Sequence, residues 1–182
     1  FKEHIHELKE TTKPTPHAAI LKKLLDQIES IDFKSLAHPK AKLLIKKLSE
    51  LNSETEEARI IRSELSNLKV ENKVYIVLSI ENIVKVAKNN LWNLCKNMGG
   101  IYLFNGVYWV ELDKDAFQKF LGEAAEKMGV PVFSAKYYNF REHLFKQFLA
   151  TQYLPSPENN NDTVLINLLN GTFEINKINS FM

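Results

Sequence analysis

The sequence predicts an α+β fold, a helical first part followed by a mixed region of helices and short antiparallel strands. Three observations carry this. Apolar residues recur at three- and four-residue steps between 16 and 68, all six glycines fall after residue 90, and two Asn-Gly pairs sit inside apolar runs. Of the aromatic residues only Phe1, Phe33 and Tyr75 precede residue 90. At 182 residues the chain suits one domain or one and a half.

In chain order, Thr15-Pro16 opens a helix over about 16–30, since Thr caps and Pro tolerates the first helical position. Its stripe is Ile20, Leu21, Leu24, Leu25, Ile28 and Ile31. A second helix starts at His38-Pro39, with Leu43, Leu44, Leu48 and Leu51 buried and Lys40, Lys42, Lys46 and Lys47 around the rest. Those lysines read first as a solvated face, second as a phosphate-facing surface. Ser53 with Glu56 forms a capping box for a third helix, whose stripe is Ala58, Ile61, Leu65 and Leu68. Residues 1–70 thus form a helical hairpin or small bundle.

Val74–Leu78 reads as a strand, with Ser79 capping a helix to about Asn97 that Gly99-Gly100 ends. The rival is one helix from Val74. Ile101–Leu112 is a hairpin turning at Asn105-Gly106, because a two-residue turn needs positive φ at both positions. Asp113 caps a helix with Phe117, Phe120, Leu121, Ala124 and Met128 inward, closed by Gly129. Ser134 or Asn139 opens another, with Phe140, Leu144, Phe148 and Leu149 inward. Residues 71–154 form this mixed domain, 155–163 a linker, and 164–182 a hairpin turning at Asn170-Gly171. The two hairpins are expected to share one small sheet under the helices. The same proportions suit a winged-helix-like module.

Several functions drop out. No apolar run reaches the ~18 residues of a membrane span, and no signal peptide opens the chain. The single cysteine, Cys95, reads as a core thiol in a reducing, cytoplasmic setting. There is no phosphate loop, dinucleotide fingerprint or zinc spacing. His4-x-His6 is a weak metal hint, His17 and His38 sit beside helix starts, and Asp113 and Asp115 stand where helix caps and first-turn acids belong. No catalytic residue, metal site or cofactor is expected.

Binding is signalled by residues 136–147, where aromatic and basic side chains interleave. Lys136, Tyr138, Arg141, His143 and Lys146 are the candidate nucleic-acid contacts. Lys136, Asn139, His143 and Lys146 approximate one polar face. Trp109, beside Tyr108 in the hairpin, is a further candidate, with sheet packing as the plainer reading. An amphipathic core helix is the plainer reading of 136–147.

Over about 79–182 the order of elements resembles the region upstream of the motor in phage- and plasmid-type primase-helicases. These are superfamily III DNA helicases to which the poxvirus primase-helicase is related. Phe104-Asn105-Gly106-Val107-Tyr108-Trp109 loosely matches that family's Tyr-x-(Asn/Asp)-Gly-x-x-Trp hairpin. Asn167-Leu-Leu-Asn170-Gly171-Thr172-Phe173-Glu174 matches its Asn-x-x-Asn-Gly-x-(Phe/Leu)-(Glu/Asp) segment. The resemblance implies a non-catalytic accessory region in DNA replication of a phage, plasmid or mobile element. Its expected partners are DNA or neighbouring subunits, with residues 16–68 as an oligomerising collar. ATP and Mg²⁺ would belong to a motor after Met182. The alternative is a stand-alone winged-helix DNA-binding regulator.

Overall fold

A computed structural model describes residues 15–52, 54–154, 163–168 and 171–176, without the side chains of 163–176. Helices α1 (His17–Gln27), α2 (Phe33–Ala37), α3 (Pro39–Glu50), α4 (Glu56–Asn67) and α5 (Asn72–Asn89) come first. Strands β1 (Asn93–Asn97), β2 (Gly100–Phe104) and β3 (Trp109–Leu112) follow, then α6 (Lys114–Met128), α7 (Val132–Lys136) and α8 (Tyr138–Thr151). Last come β4 (Thr163–Leu168) and β5 (Gly171–Asn176). The fold is α+β, as expected. Among the described residues no helix is long and apolar enough to cross a membrane.

One core joins α1, α5, α6, α8 and the sheet. Ile20, Leu24 and Ile28 meet Ile80 and Ile83 of α5, Leu103 of β2, Phe117 and Leu121 of α6, and Leu144 and Phe148 of α8. It therefore runs across residue 70. Lys127 of α6 also donates to the Leu25 and Asp26 carbonyls at the end of α1 (2.7 and 2.9 Å). α3 and α4 pack on each other beside α2 and bury Ala41, Leu44, Ala58 and Ile61 in a smaller contact.

The helix starts follow local chemistry with small shifts. α1 begins at His17 with Pro16 as an N-cap that makes no side-chain bond. α4 begins at Glu56 and is capped by Thr55, which accepts from the Ala58 N–H. That displaces the expected box, whose Ser53 lies outside the described residues. Leu43 is 65% exposed, so the buried stripe of α3 is Ala41 and Leu44 with Leu48 half-buried. The short α2 has no counterpart in the sequence reading. Its N-cap Asp32 accepts from the Ser35 N–H at 3.0 Å.

The Ser35 hydroxyl and amide beside Asp32 hold its carboxyl below the usual aspartate range. A depressed folded-state pKa gives stability that is complete above the unfolded value, near pH 4. It is lost as pH falls through the folded value. Asp32→Ala is expected to cost about 1 kcal/mol at neutral pH. The cost should vanish in urea titrations at strongly acidic pH.

The largest departure lies between residues 72 and 100. The single-helix rival is the correct one at its start: α5 begins at Asn72 and buries Ser79 inside it rather than using it as a cap. The helix does not continue to Asn97. Leu91 takes φ +60°, and its N–H and that of Trp92 donate back to the Lys88 and Ala87 carbonyls, both at 3.0 Å. That is a Schellman ending with leucine in the left-handed position. Leu94 and Cys95 are then buried in β1, and burial pushes the Cys95 thiol above its ordinary range. Gly99-Gly100 ends no helix. Met98 (φ +44°) and Gly99 (φ +88°) form the two-residue turn between Asn97 and its partner Gly100. Leu91 is 79% exposed, so its strain is not repaid by packing. Leu91→Gly is expected to raise stability by about 0.5–1 kcal/mol, because relief of left-handed strain exceeds the added chain entropy. A lower urea midpoint would refute this.

The predicted hairpin is present as β2–β3, with Phe104 opposite Trp109. Its loop has four residues rather than two. Asn105 is buried, and its Oδ1 accepts from the Val107 and Tyr108 N–H groups, each at 3.0 Å. This side chain organises the loop, and Gly106 supplies the positive φ. The sheet is the meander β1-β2-β3, and β4-β5 is a separate pair, so the two hairpins do not share a sheet. Gly171 stands in the ladder opposite Leu168 rather than in the turn. Of the expected linker 155–163, residues 155–162 lie outside the described residues, and Thr163 begins β4 instead. The three strands of the meander follow one another with no helix between them, directly after α5. After α8 the chain runs parallel to β1. The Lys96 N–H donates to the Gln152 carbonyl (2.7 Å), and the Leu154 N–H donates to the Lys96 carbonyl (3.0 Å).

Candidate nucleic-acid interface

α7 and α8 meet at a sharp corner that turns aromatic side chains outward. Gly129 ends α6 in the left-handed conformation, and Pro131 is the N-cap of α7. α7 is anchored by Ala135, which is fully buried. Tyr137 is extended (φ −70°, ψ 130°) and begins the next helix at once. Phe133 is 91% exposed, Tyr138 68% and Tyr137 53%. The two tyrosine rings stand edge to face, 5.0 Å apart at 67°. The Asn139 amide donates to the Tyr137 hydroxyl at 3.1 Å and fixes that ring.

The sequence candidates divide among different surroundings. Tyr138 belongs to this aromatic corner, and Lys136 lies beside it on α7 with its ammonium 3.8 Å from Glu126. Lys136 and Asn139 are thus on different helices from one another, and the expected single polar face is broken at Tyr137. Arg141 has a structural task. Its Nε donates to the Ala135 carbonyl at 3.1 Å, and its stem crosses Gly122 of α6, where a Cβ would lie only 2.6 Å from that Nε.

His143 and Lys146 come together about one turn apart. With Lys73, Ile76 and Val77 of α5 and Gln147 they line an open cleft of about 320 Å³. Both lysines have carboxylate partners: Lys146 pairs with Glu142 at 2.8 Å and Lys73 with Glu71 at 2.7 Å. Each ammonium holds its carboxylate below the usual glutamate range. Trp109 is elsewhere, on β3, 38% exposed with its ring 5.1 Å from Phe104. It is a sheet residue and does not join the α8 group.

The sequence did not single out Phe133, Tyr137 or Lys73 as contacts. Tyr137 lies inside the interleaved segment, between Lys136 and Tyr138, and Phe133 three residues before it, but their exposure depends on the break between α7 and α8. Lys73 is 70 residues from His143 in the chain, and nothing local signals their meeting. Among the described residues no group of three or more His, Cys, Asp or Glu side chains is placed to hold a metal. The surface therefore offers π-faces with few uncompensated cations. No family model, curated protein or solved structure matches the chain.

Proposed function

We propose that the chain is a non-catalytic accessory region of a mobile-element DNA replication primase-helicase, and that the α7–α8 corner grips single-stranded DNA. The observation that carries this is the exposure of Phe133, Tyr137 and Tyr138 together at one rigid corner, beside Lys136. Exposed aromatic faces of this size cost hydration free energy unless something covers them. Unpaired bases present the matching surface, since every base has a π-face. A duplex hides those faces in its stack, so the corner favours single strands. The cleft of Lys73, His143 and Lys146 lies further along α8 and suits backbone phosphate.

Fluorescence anisotropy with labelled single- and double-stranded oligonucleotides tests the proposal. The double substitution Tyr137→Ala/Tyr138→Ala is expected to weaken single-strand binding about ten- to hundredfold, the loss of one or two stacked bases. Lys136→Gln and Lys146→Gln are expected to change it only a few-fold, because both ammonium groups already face carboxylates. With two or three phosphates engaged, log K against log salt should have a slope of about −1.5 to −2. A double tyrosine variant that binds as tightly as the unmodified chain overturns the proposal. Arg141 is left intact, since removing it would disturb α7 itself.

A further inference from the structure

α3 and α4 carry one pattern twice, seventeen residues apart. Ala41, Leu44 and Leu48 on α3 recur as Ala58, Ile61 and Leu65 on α4, and these are the sides the two helices bury or half-bury. Outside, Leu43 recurs as Ile60, and both point to solvent, 65% and 54% exposed. The charges around them are opposite. Leu43 has Lys40 three residues before it and Lys47 four after, while Ile60 has Glu57 and Glu64 at the same steps. At these spacings all three side chains of each set share a helix face. Each chain thus displays a basic stripe with an apolar centre and an acidic stripe with an apolar centre.

Within one chain the two stripes already touch at their edge, where the Lys40 ammonium lies 3.2 Å from the Glu64 carboxylate. Among the described residues Lys47 and Glu57 have no such ion pair. Further apolar surface lies beside α3, where Leu36 (59% exposed) and Ile45 (41%) line a groove of about 500 Å³ with Lys42. An isolated exposed apolar side chain needs no explanation, but Leu43 and Ile60 at matched positions with opposite flanking charge are complementary to each other.

We infer that the α3 stripe of one copy docks on the α4 stripe of another, with Leu43 packing against Ile60 and Lys47 pairing with Glu57. The occupant is a second copy of this chain, because the chemical complement of each stripe is the other stripe. Made once, the contact uses different surfaces on its two sides and leaves one free stripe at either end, so growth closes into a ring or continues as a filament. Made twice about a two-fold axis, each chain's α3 stripe on the other's α4 stripe, it closes as a dimer. This goes beyond the nucleic-acid proposal and uses no residue of α7 or α8.

Sedimentation velocity on the full 182-residue chain tests it. The average mass is expected to rise above the 21.0 kDa monomer with concentration at low salt and to fall back at high salt. Leu43→Glu and Ile60→Lys should each give monomers. Mixed one to one, they should form a complex of two chains and nothing larger, since one intact stripe of each kind survives in the mixture. Lys47→Glu should weaken association, and Lys47→Glu/Glu57→Lys in the same chain should restore it. The four positions are on the surface, and circular dichroism with urea midpoints verifies that each variant folds. If one does not, the charge-swap pair decides alone. A chain that stays monomeric at low salt and high concentration overturns the inference, as does a mixture of the two single variants that remains monomeric. Anisotropy on Leu43→Glu separates the two proposals, because its oligonucleotide affinity should match that of the unmodified monomer.

Discussion

Phe117→Ala is expected to lower the unfolding free energy by about 3–5 kcal/mol, a large part of the 5–15 kcal/mol a domain of this kind has. Phe117 is fully buried, and three other phenylalanines surround it. Its ring centroid lies 4.7 Å from that of Phe148, 6.0 Å from Phe120 and 6.4 Å from Phe145. Two of these contacts are edge-on, which adds to the area term. The ring sits where α6 crosses α8, so the vacated volume is walled by two rigid helices that cannot both close on it. Urea denaturation followed by far-UV circular dichroism measures the loss. A change below about 1 kcal/mol would mean that the aromatic cluster relaxes freely and is not the keystone of the α6–α8 contact.

Gly122→Val is the second large effect, and it reaches the candidate interface. The glycine lies in the middle of α6, where alanine would ordinarily be better by about 1 kcal/mol. It is present because Arg141 needs the space. A Cβ there would lie 2.6 Å from the Arg141 Nε and 3.1 Å from the Ala135 carbonyl oxygen. A valine must push the guanidinium off Ala135 or separate α6 from α7. Overpacking of this kind costs about 1–3 kcal/mol, and the freed Ala135 carbonyl adds to it. Because α7 carries Phe133 and leads into Tyr137, the variant should also lose single-strand affinity without touching an aromatic residue. Urea midpoints and oligonucleotide anisotropy on the same preparation read both effects. Unchanged stability would show that Arg141 moves aside without cost.

These two helices also explain which parts of the fold were legible. α6 could be read at both ends. Asp113 bonds the Ala116 N–H at 2.8 Å, and Gly129 takes the left-handed position with Val130 bonding back to Ala125. α5 ends with the same hydrogen bonds, but leucine holds the position glycine holds in α6. A rule that looks for glycine runs past Leu91 and reads β1 as helix. The Asn105-Gly106 pair marked a real hairpin, yet the buried amide of Asn105 makes its own loop, so the dipeptide located the turn without giving its length. At the candidate interface, the interleaved segment on α8 was legible because aromatic and basic residues stand out locally. The roles within it were not. Arg141 reads as a free cation until Gly122 is seen beneath it, and Tyr137 reads as one more helical residue until the chain breaks there.

The parallel run of residues 152–154 along β1 gives the sheet a polarity. One border is strapped at Lys96, which uses both its amide and its carbonyl on that segment. The other border is β3, four residues long, whose outer side has no strand partner among the described residues. A further strand, from this polypeptide or from another, finds an unpaired edge beside Trp109–Leu112. There it would meet Glu111, a carboxylate of the kind that discourages indiscriminate edge pairing. The meander is thus strapped where the chain leaves it and guarded where it stays open.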